Sequence, residues 1–166
     1  MSTWDELERL IERWRGPLVG LLTARGLDAQ AASELAQDVF AEAWLSRANF
    51  RGDVDDVEDA GRWLAGIARN LHRKHLRRPR LVDLEDVDDV SAEEQRPLDE
   101  RARVRAAIDR LPPPEREVVR MFYLEQTSTR QVAALLGTSE RAVEGKLRRA
   151  RQRLEGWLEP REESIA

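Results

Sequence analysis

At 166 residues the chain has room for one domain or for two small ones. Hydrophobic residues make up 41% and charged residues 36%, enough to build a core and keep its surface soluble. No apolar run approaches the roughly 18 residues of a membrane span, so membrane insertion is not expected. With no cysteine there is neither a disulfide nor a thiolate metal site. The opening MSTWDELERL is acidic where a secretory leader is basic and then apolar. Both features point to the cytoplasm.

A net charge of −4 argues against a nucleic-acid binder until its distribution is read. Residues 1–78 carry 12 basic and 13 acidic side chains, residues 79–98 carry 2 and 7, and residues 99–166 carry 14 and 12. The acid is concentrated in the middle. Two stretches hold only basic charge: Arg62 to Arg80, with seven Lys or Arg, and Lys146 to Arg153, with five. Each offers phosphates a local attraction that the total conceals.

The pattern is helical throughout, and no segment alternates with the period of a strand. Trp4, Leu7, Ile11, Trp14, Leu18, Leu21 and Leu22 form a stripe that predicts a helix over 3–24. Asp28 is a candidate N-cap for a second helix reaching 46, with Ala32, Leu35, Val39, Phe40 and Ala43 facing inward. Residues 50–60 (FRGDVDDVEDA) read as a loop, and Trp63, Leu64, Ile67, Ala68 and Leu71 predict a helix over 61–78, ended by Pro79. The acidic stretch 79–98 has no apolar stripe and reads as a linker. Further helices are predicted over 99–110, 114–125, 129–136 and 139–158, with a tail after Pro160. The expected fold is all-α: a helical domain over 1–78, the linker, a second helical domain over 99–160, and a tail over 161–166.

The sharpest local motif is TRQVAALLGTSERAVEGKLRRARQRL. A helix-turn-helix needs a small residue where its helices cross, and Ala133 supplies it. It needs a turn residue that tolerates a left-handed backbone, and Gly137 does. It needs an apolar residue to pin the second helix, and Val143 fits. Ser139 is a good N-cap. The second helix of such a motif enters the major groove with its N-terminal side chains toward the bases. The candidate DNA contacts are therefore Ser139, Glu140, Arg141 and Glu144, with Lys146, Arg148, Arg149 and Arg151 further along. A plain helical hairpin with a solvated basic face shares this spacing; the basic run that follows favours DNA. His72 and His75, three apart on a helix, make a poor metal site without a further ligand. No metal or cofactor is expected. The sequence has no cysteine nucleophile, metal cluster or glycine-rich phosphate loop, so an enzyme is not expected either.

Taken together, SELAQDVFAEAW, then NFRG, then RWLAGIARNLHRKHLRR, and finally LPPPEREVVRMFYLEQTSTRQVAALLGTSERAVEGKLRRARQRL resemble the extracytoplasmic-function (group IV) RNA polymerase sigma factors over most of residues 4–158. The resemblance implies a first domain that docks on the polymerase clamp and binds the minus-ten element. It implies a second domain that reads the minus-thirty-five element. Glu34, Gln37 and Asp38 are then the polymerase contacts. Phe50, Arg51, Arg62, Arg69, Asn70, Arg73, Lys74, Arg77 and Arg78 are then the minus-ten contacts, with Phe50 equally readable as a packing residue. The implied function is promoter-specific initiation, the partners core RNA polymerase, promoter DNA and an anti-sigma protein.

Four departures from the family pattern bear on contacts rather than class. The loop FRGDVDDVEDAGRW is longer and more acidic than usual. Lys74 stands where the family often has Asp. Ala142 and Gly145 stand where Thr and Ser are frequent. Glu144 replaces a frequent Lys, giving up a phosphate contact but gaining an acceptor for cytosine N4. Two other readings of the residues stay open: a stand-alone helix-turn-helix regulator, which leaves the first domain without a role, and a helical adaptor that has lost DNA binding.

Overall fold

A computed structural model describes residues 2–77, 95–124 and 126–159, with backbone alone at 95–98 and 124. Seven α-helices occur among the described residues: α1 (Thr3–Ala24), α2 (Ala29–Ser46), α3 (Val57–Arg77), α4 (Gln95–Asp109), α5 (Pro113–Val119), α6 (Thr129–Leu136) and α7 (Glu140–Leu158). A short 3-10 turn covers Arg47–Asn49 and a π turn covers Arg120–Leu124. There is no strand among them.

Local chemistry explains where these helices start. The Ser2 hydroxyl accepts from Trp4 N, and Asp5 accepts in return from the Ser2 backbone N–H. Asp28 caps α2 by accepting from Ala31 N at 2.8 Å. Ser128 and Gln131 form a second reciprocal cap at α6, and Ser139 accepts from Ala142 N at the start of α7. Gly137 ends α6 at φ 65° and ψ 36°, the left-handed geometry that favours glycine.

Two predicted boundaries move. The loop ends at Asp56 rather than Ala60, because the Asp56 carboxylate accepts from Asp59 N at 2.9 Å and starts α3 four residues early. Glu58 and Asp59 then sit in the first turn, where the helix dipole favours acids. The helix expected from 99 begins at Gln95. The rest of the acidic segment, residues 78–94, and the tail from 160 lie outside the described residues. Trp4 also departs from expectation. It is 64% exposed rather than inward, and stacks on Trp44 with ring centroids 5.0 Å apart. The buried stripe of α1 begins at Leu10.

The first module is α1 to α3 and the second is α4 to α7. Their apolar residues form one continuous core, running from Leu10, Trp14 and Leu18 through Leu64 and Ala68 to Val132, Leu135 and Val143. The main link is α6, which lies against both α3 and α1, and the π turn and α5 also pack on α1. Small residues permit it. A methyl added at Gly61 of α3 would stand 2.5 Å from the Cβ of Ala134 and 2.9 Å from Cη2 of the fully buried Trp14. Polar contacts flank the seam: Gln131 Nε2 donates to the Arg13 carbonyl at 2.9 Å, and Arg25 meets Glu117 at 3.2 Å.

Since native cores lack room for an extra carbon at such separations, Gly61→Ala is expected to lower stability by about 1–3 kcal/mol despite alanine's better helix propensity. Chemical denaturation of the full chain measures it, and a variant as stable as the wild type would contradict the packing described.

Candidate nucleic-acid interface

The candidate site begins with how α7 is held. Val143, Leu147 and Ala150 are buried, so the opposite side of the helix faces outward. Arg141, Glu144 and Arg148 are exposed there, spaced by three and four residues, and Ser139 and Glu140 lead into them. These five candidates form one surface. The other three lie at its edge or leave it. Lys146 is half-buried and lies about 200° round the helix from Glu144. Arg149 Nε lies 3.6 Å from Glu115 Oε1, and Arg153 Nε lies 3.1 Å from Glu115 Oε2. Arg151 donates to the Tyr123 hydroxyl and lies over its ring. The basic run is thus divided. Part of it faces outward, and part of it fastens α7 to α5 and the π turn. Glu115, buried beside α7, and Tyr123 are residues that sequence reasoning missed. Nothing in their spacing announces that α7 will pack on them.

On α3, Arg62, Arg69, Asn70, Arg73, Lys74 and Arg77 are all exposed. Arg62, Arg69 and Arg73, with Gly66 between them, follow one stripe at steps of three and four. Arg62 is also paired with Glu58 of its own helix. Arg78 lies outside the described residues. Arg51 is exposed, whereas Phe50 is half-buried and stacked on Trp63, with centroids 4.2 Å apart and planes at 14°. The acidic loop folds onto α1 rather than over the basic face of α3: Arg13 donates to the Asp55 carbonyl at 2.9 Å, and Arg9 meets the Asp55 carboxylate at 3.3 Å.

The two sets approach each other at one place. Glu58 and Arg62 of α3 and Thr138, Ser139 and Glu140 at the start of α7 share the lining of a cleft of about 450 Å³.

Glu34, Gln37 and Asp38 are exposed on α2, and Glu34 accepts from Gln30 Nε2 at 3.2 Å. Gln37 borders an apolar groove of about 360 Å³ between α1 and α2, walled by Leu7, Ile11, Phe40 and Trp44. Leu45 nearby is 75% exposed. No group of three or more His, Cys, Asp or Glu among the described residues could hold a metal. No described helix is long and apolar enough to cross a membrane.

Comparison with known proteins divides the chain at the same place. Residues 10–81 match the family model for sigma-70 region 2, and residues 101–154 match that for sigma-70 region 4. The chain is built from sigma-70 regions 2 and 4. Region 2 therefore comprises most of α1 and all of α2 and α3, and region 4 comprises most of α4, all of α5 and α6, and most of α7. A probable RNA polymerase sigma factor RfaY of Xanthomonas campestris is 28% identical over 95% of this chain. The ECF RNA polymerase sigma factor SigE of Mycolicibacterium smegmatis is 30% identical, also over 95%. The chain spans 42% and 62% of those relatives. Among solved structures, CnrH in complex with the cytosolic domain of CnrY is similar at 28% identity with a TM-score of 0.56, over 92% of this chain and 86% of that one.

The region 2 surface also carries a titration. His72 of α3 is held below its ordinary pKa of 6.5, first by burial and then by the positive charge of Arg25 and by His75. Folding therefore disfavours the protonated imidazole. Stability is expected to be fully present above pH 6.5 and to decline as the pH falls below it. His72→Gln removes that component, so denaturation midpoints compared at pH 7.5 and pH 5.5 should fall less in the variant than in the wild type.

Glu115 offers a second check. Replacing it with Ala leaves the guanidinium groups of Arg149 and Arg153 without their partner, and the loss of charge-assisted contacts at a buried carboxylate costs about 1–3 kcal/mol. A Glu115→Ala protein as stable to urea as the wild type would show that the clamp contributes nothing.

Proposed function

We propose that the chain is an extracytoplasmic-function sigma factor, a cytoplasmic initiation factor that brings core RNA polymerase to specific promoters and performs no chemistry itself. The observation that carries this reading is the pair of outward basic helix faces, one in each sigma-70 region. On α3 it comprises Arg62, Arg69, Arg73 and Arg77, flanked by Asn70 and Lys74. On α7 it comprises Arg141 and Arg148 around Glu144.

Region 4 reads duplex DNA at the minus-thirty-five element. Ser139 sits at the N-cap, where a backbone N–H or hydroxyl can meet a phosphate, while Arg141 and Arg148 are long enough to reach base edges. Glu144 is an acceptor suited to cytosine N4. Region 2 holds the minus-ten element through α3, with exposed Arg51 at the margin. Phe50 serves this surface by stacking under Trp63 and fixing the loop before α3. Arg149 and Arg151 support α7 in place of touching DNA.

Polymerase docks on Glu34, Gln37 and Asp38, beside the apolar groove of α1 and α2. Two DNA contacts joined through polymerase act as a bivalent reader, because binding of the second is effectively intramolecular. That lets a protein of net charge −4 work without high affinity in either region. The two elements lie roughly 25 base pairs apart, about 85 Å at 3.4 Å per base pair. In the closed molecule, by contrast, the start of α7 shares one cleft with α3. Engagement of both elements therefore requires the α3–α6 contact to part. An anti-sigma protein that grips the closed form would keep it from polymerase, and the relative CnrH has been captured with the cytosolic domain of CnrY.

In vitro transcription with core polymerase and genomic fragments tests the reading. Factor-dependent start sites are expected, and their absence would overturn it. Arg148→Ala should weaken use of the mapped promoters by about tenfold or more, the cost of a lost base contact of about 1–3 kcal/mol. Arg73→Ala should weaken all promoters alike and make binding less salt-dependent by about one unit of slope, as loss of a phosphate contact does.

A further inference from the structure

A glycine inside a helix calls for a reason, because its unrestricted backbone destabilises the helix relative to alanine. Gly61 has its reason in Trp14 and Ala134. Gly145, in the second turn of α7, has none inside the protein. The nearest atoms to a methyl added there are Arg149 Nη1 at 3.5 Å and Arg148 Nη2 at 4.0 Å, ordinary contacts with the ends of flexible side chains. Alanine would fit the folded protein and suit the helix better.

Its position is informative. Residues four before, three after and four after surround a given residue on a helix face. Arg141, Arg148 and Arg149 therefore ring Gly145, with Glu144 immediately before it, on the side of α7 opposite Val143, Leu147 and Ala150. Gly145 is buried although it faces outward, and the guanidinium ends of Arg149 and Arg148 are the nearest atoms to where a side chain would stand. The centre of the outward face is thus a floor without a side chain, bordered by long charged ones. On α3, Gly66 also lies in a basic stripe, between Arg62 and Arg69, but it is half-buried and nothing stands within 4 Å of an added methyl.

We propose that Gly145 is a specificity-determining position for duplex DNA, whose missing side chain lets the backbone of α7 approach the floor of the major groove. The inference rests on the promoter reading above. A helix with its side chains is about 10–12 Å across, and the groove is about 12 Å wide and 8.5 Å deep. The fit is close, so one methyl at the innermost point sets how deeply the helix seats. Depth decides whether Arg141, Glu144 and Arg148 reach base edges or stop at the sugar and phosphate. When DNA enters, the Arg148 guanidinium leaves the glycine for the groove, while Arg149 keeps Glu115 within reach.

The test compares the full chain with Gly145→Ala and Gly156→Ala variants. Gly156 lies on the same helix about 16 Å further along, beyond the width of one groove, and also has nothing within 4 Å of an added methyl. Thermal unfolding and run-off transcription are measured on a promoter mapped with the wild type, intact and with its upstream element scrambled. Both variants should raise Tm by about 2–4 °C. Gly145→Ala should lower transcription from the intact promoter at least fivefold and shrink the advantage of the intact over the scrambled element. Gly156→Ala should leave both unchanged. A Gly145→Ala protein that transcribes at the wild-type level, from a promoter whose use by the wild type depends on the upstream element, overturns the inference and leaves the promoter reading standing. A wild type that initiates nowhere overturns both.

Discussion

Gly61 against Ala134 and Trp14 is the contact on which the described arrangement depends. A larger side chain on either facing position would hold α6 away from α3. With α6 displaced, the buried residues shared between the regions would be exposed to water, at roughly 25 cal/mol for each Å² of apolar surface. Because α6 also leads through Gly137 into α7, its seating fixes the direction of the recognition helix relative to region 2. Three small features thus hold α7 in the described arrangement: a glycine that admits α6, a left-handed glycine that turns the chain, and Val143, which pins α7 to the core.

The charges follow a consistent plan once their partners are known. Asp55, Glu58, Asp109, Glu115 and Glu117 each hold arginine side chains, and Glu115 holds two. Most of these pairs are exposed and individually add little stability. Their effect is to commit certain arginines to the fold. The formal sum of −4 therefore says little about the potential a phosphate meets at either helix. Glu144 is an acid placed between Arg141 and Arg148 on the outward side of α7. It suits selection among bases better than general attraction to the backbone.

Most of the helices were legible because their signals are local. Asp28 and Ser139 are caps readable from residue type, and each accepts the backbone N–H expected of it, as Ser2 and Ser128 also do at α1 and α6. Gly137 was readable as the turn for the same reason. The start of α3 is misread because five acids among residues 53–59 suggest a solvated loop, whereas Asp56 is a cap and the acids after it favour a helix N-terminus. The burial of α1 was half legible. Its periodic stripe is real, but periodicity cannot say where the neighbouring helix ends, and Trp4 lies beyond that cover on the edge of Trp44. The contact between the two regions was not legible at all. It joins Gly61 to Ala134, and neither small residue has a spacing that names its partner.

The candidate site shows the same division between local and long-range information. A basic run on a helix identifies a region rich in arginine, but a helix displays its residues in every direction. Of the five basic residues from Lys146 to Arg153, Arg148 lies on the outward face, while Arg149 and Arg153 reach Glu115 and Arg151 reaches Tyr123. Whether an arginine reads DNA or holds the helix depends on what stands across from it, and that is fixed by residues 28 or more positions earlier in the chain. An arginine held by a buried carboxylate must give up that pairing before it can serve a phosphate, at a cost comparable to what the new contact returns. Counting basic residues therefore overstates a nucleic-acid surface, and the outward stripe through Arg141, Glu144 and Arg148 is the better measure of what α7 can present to a groove.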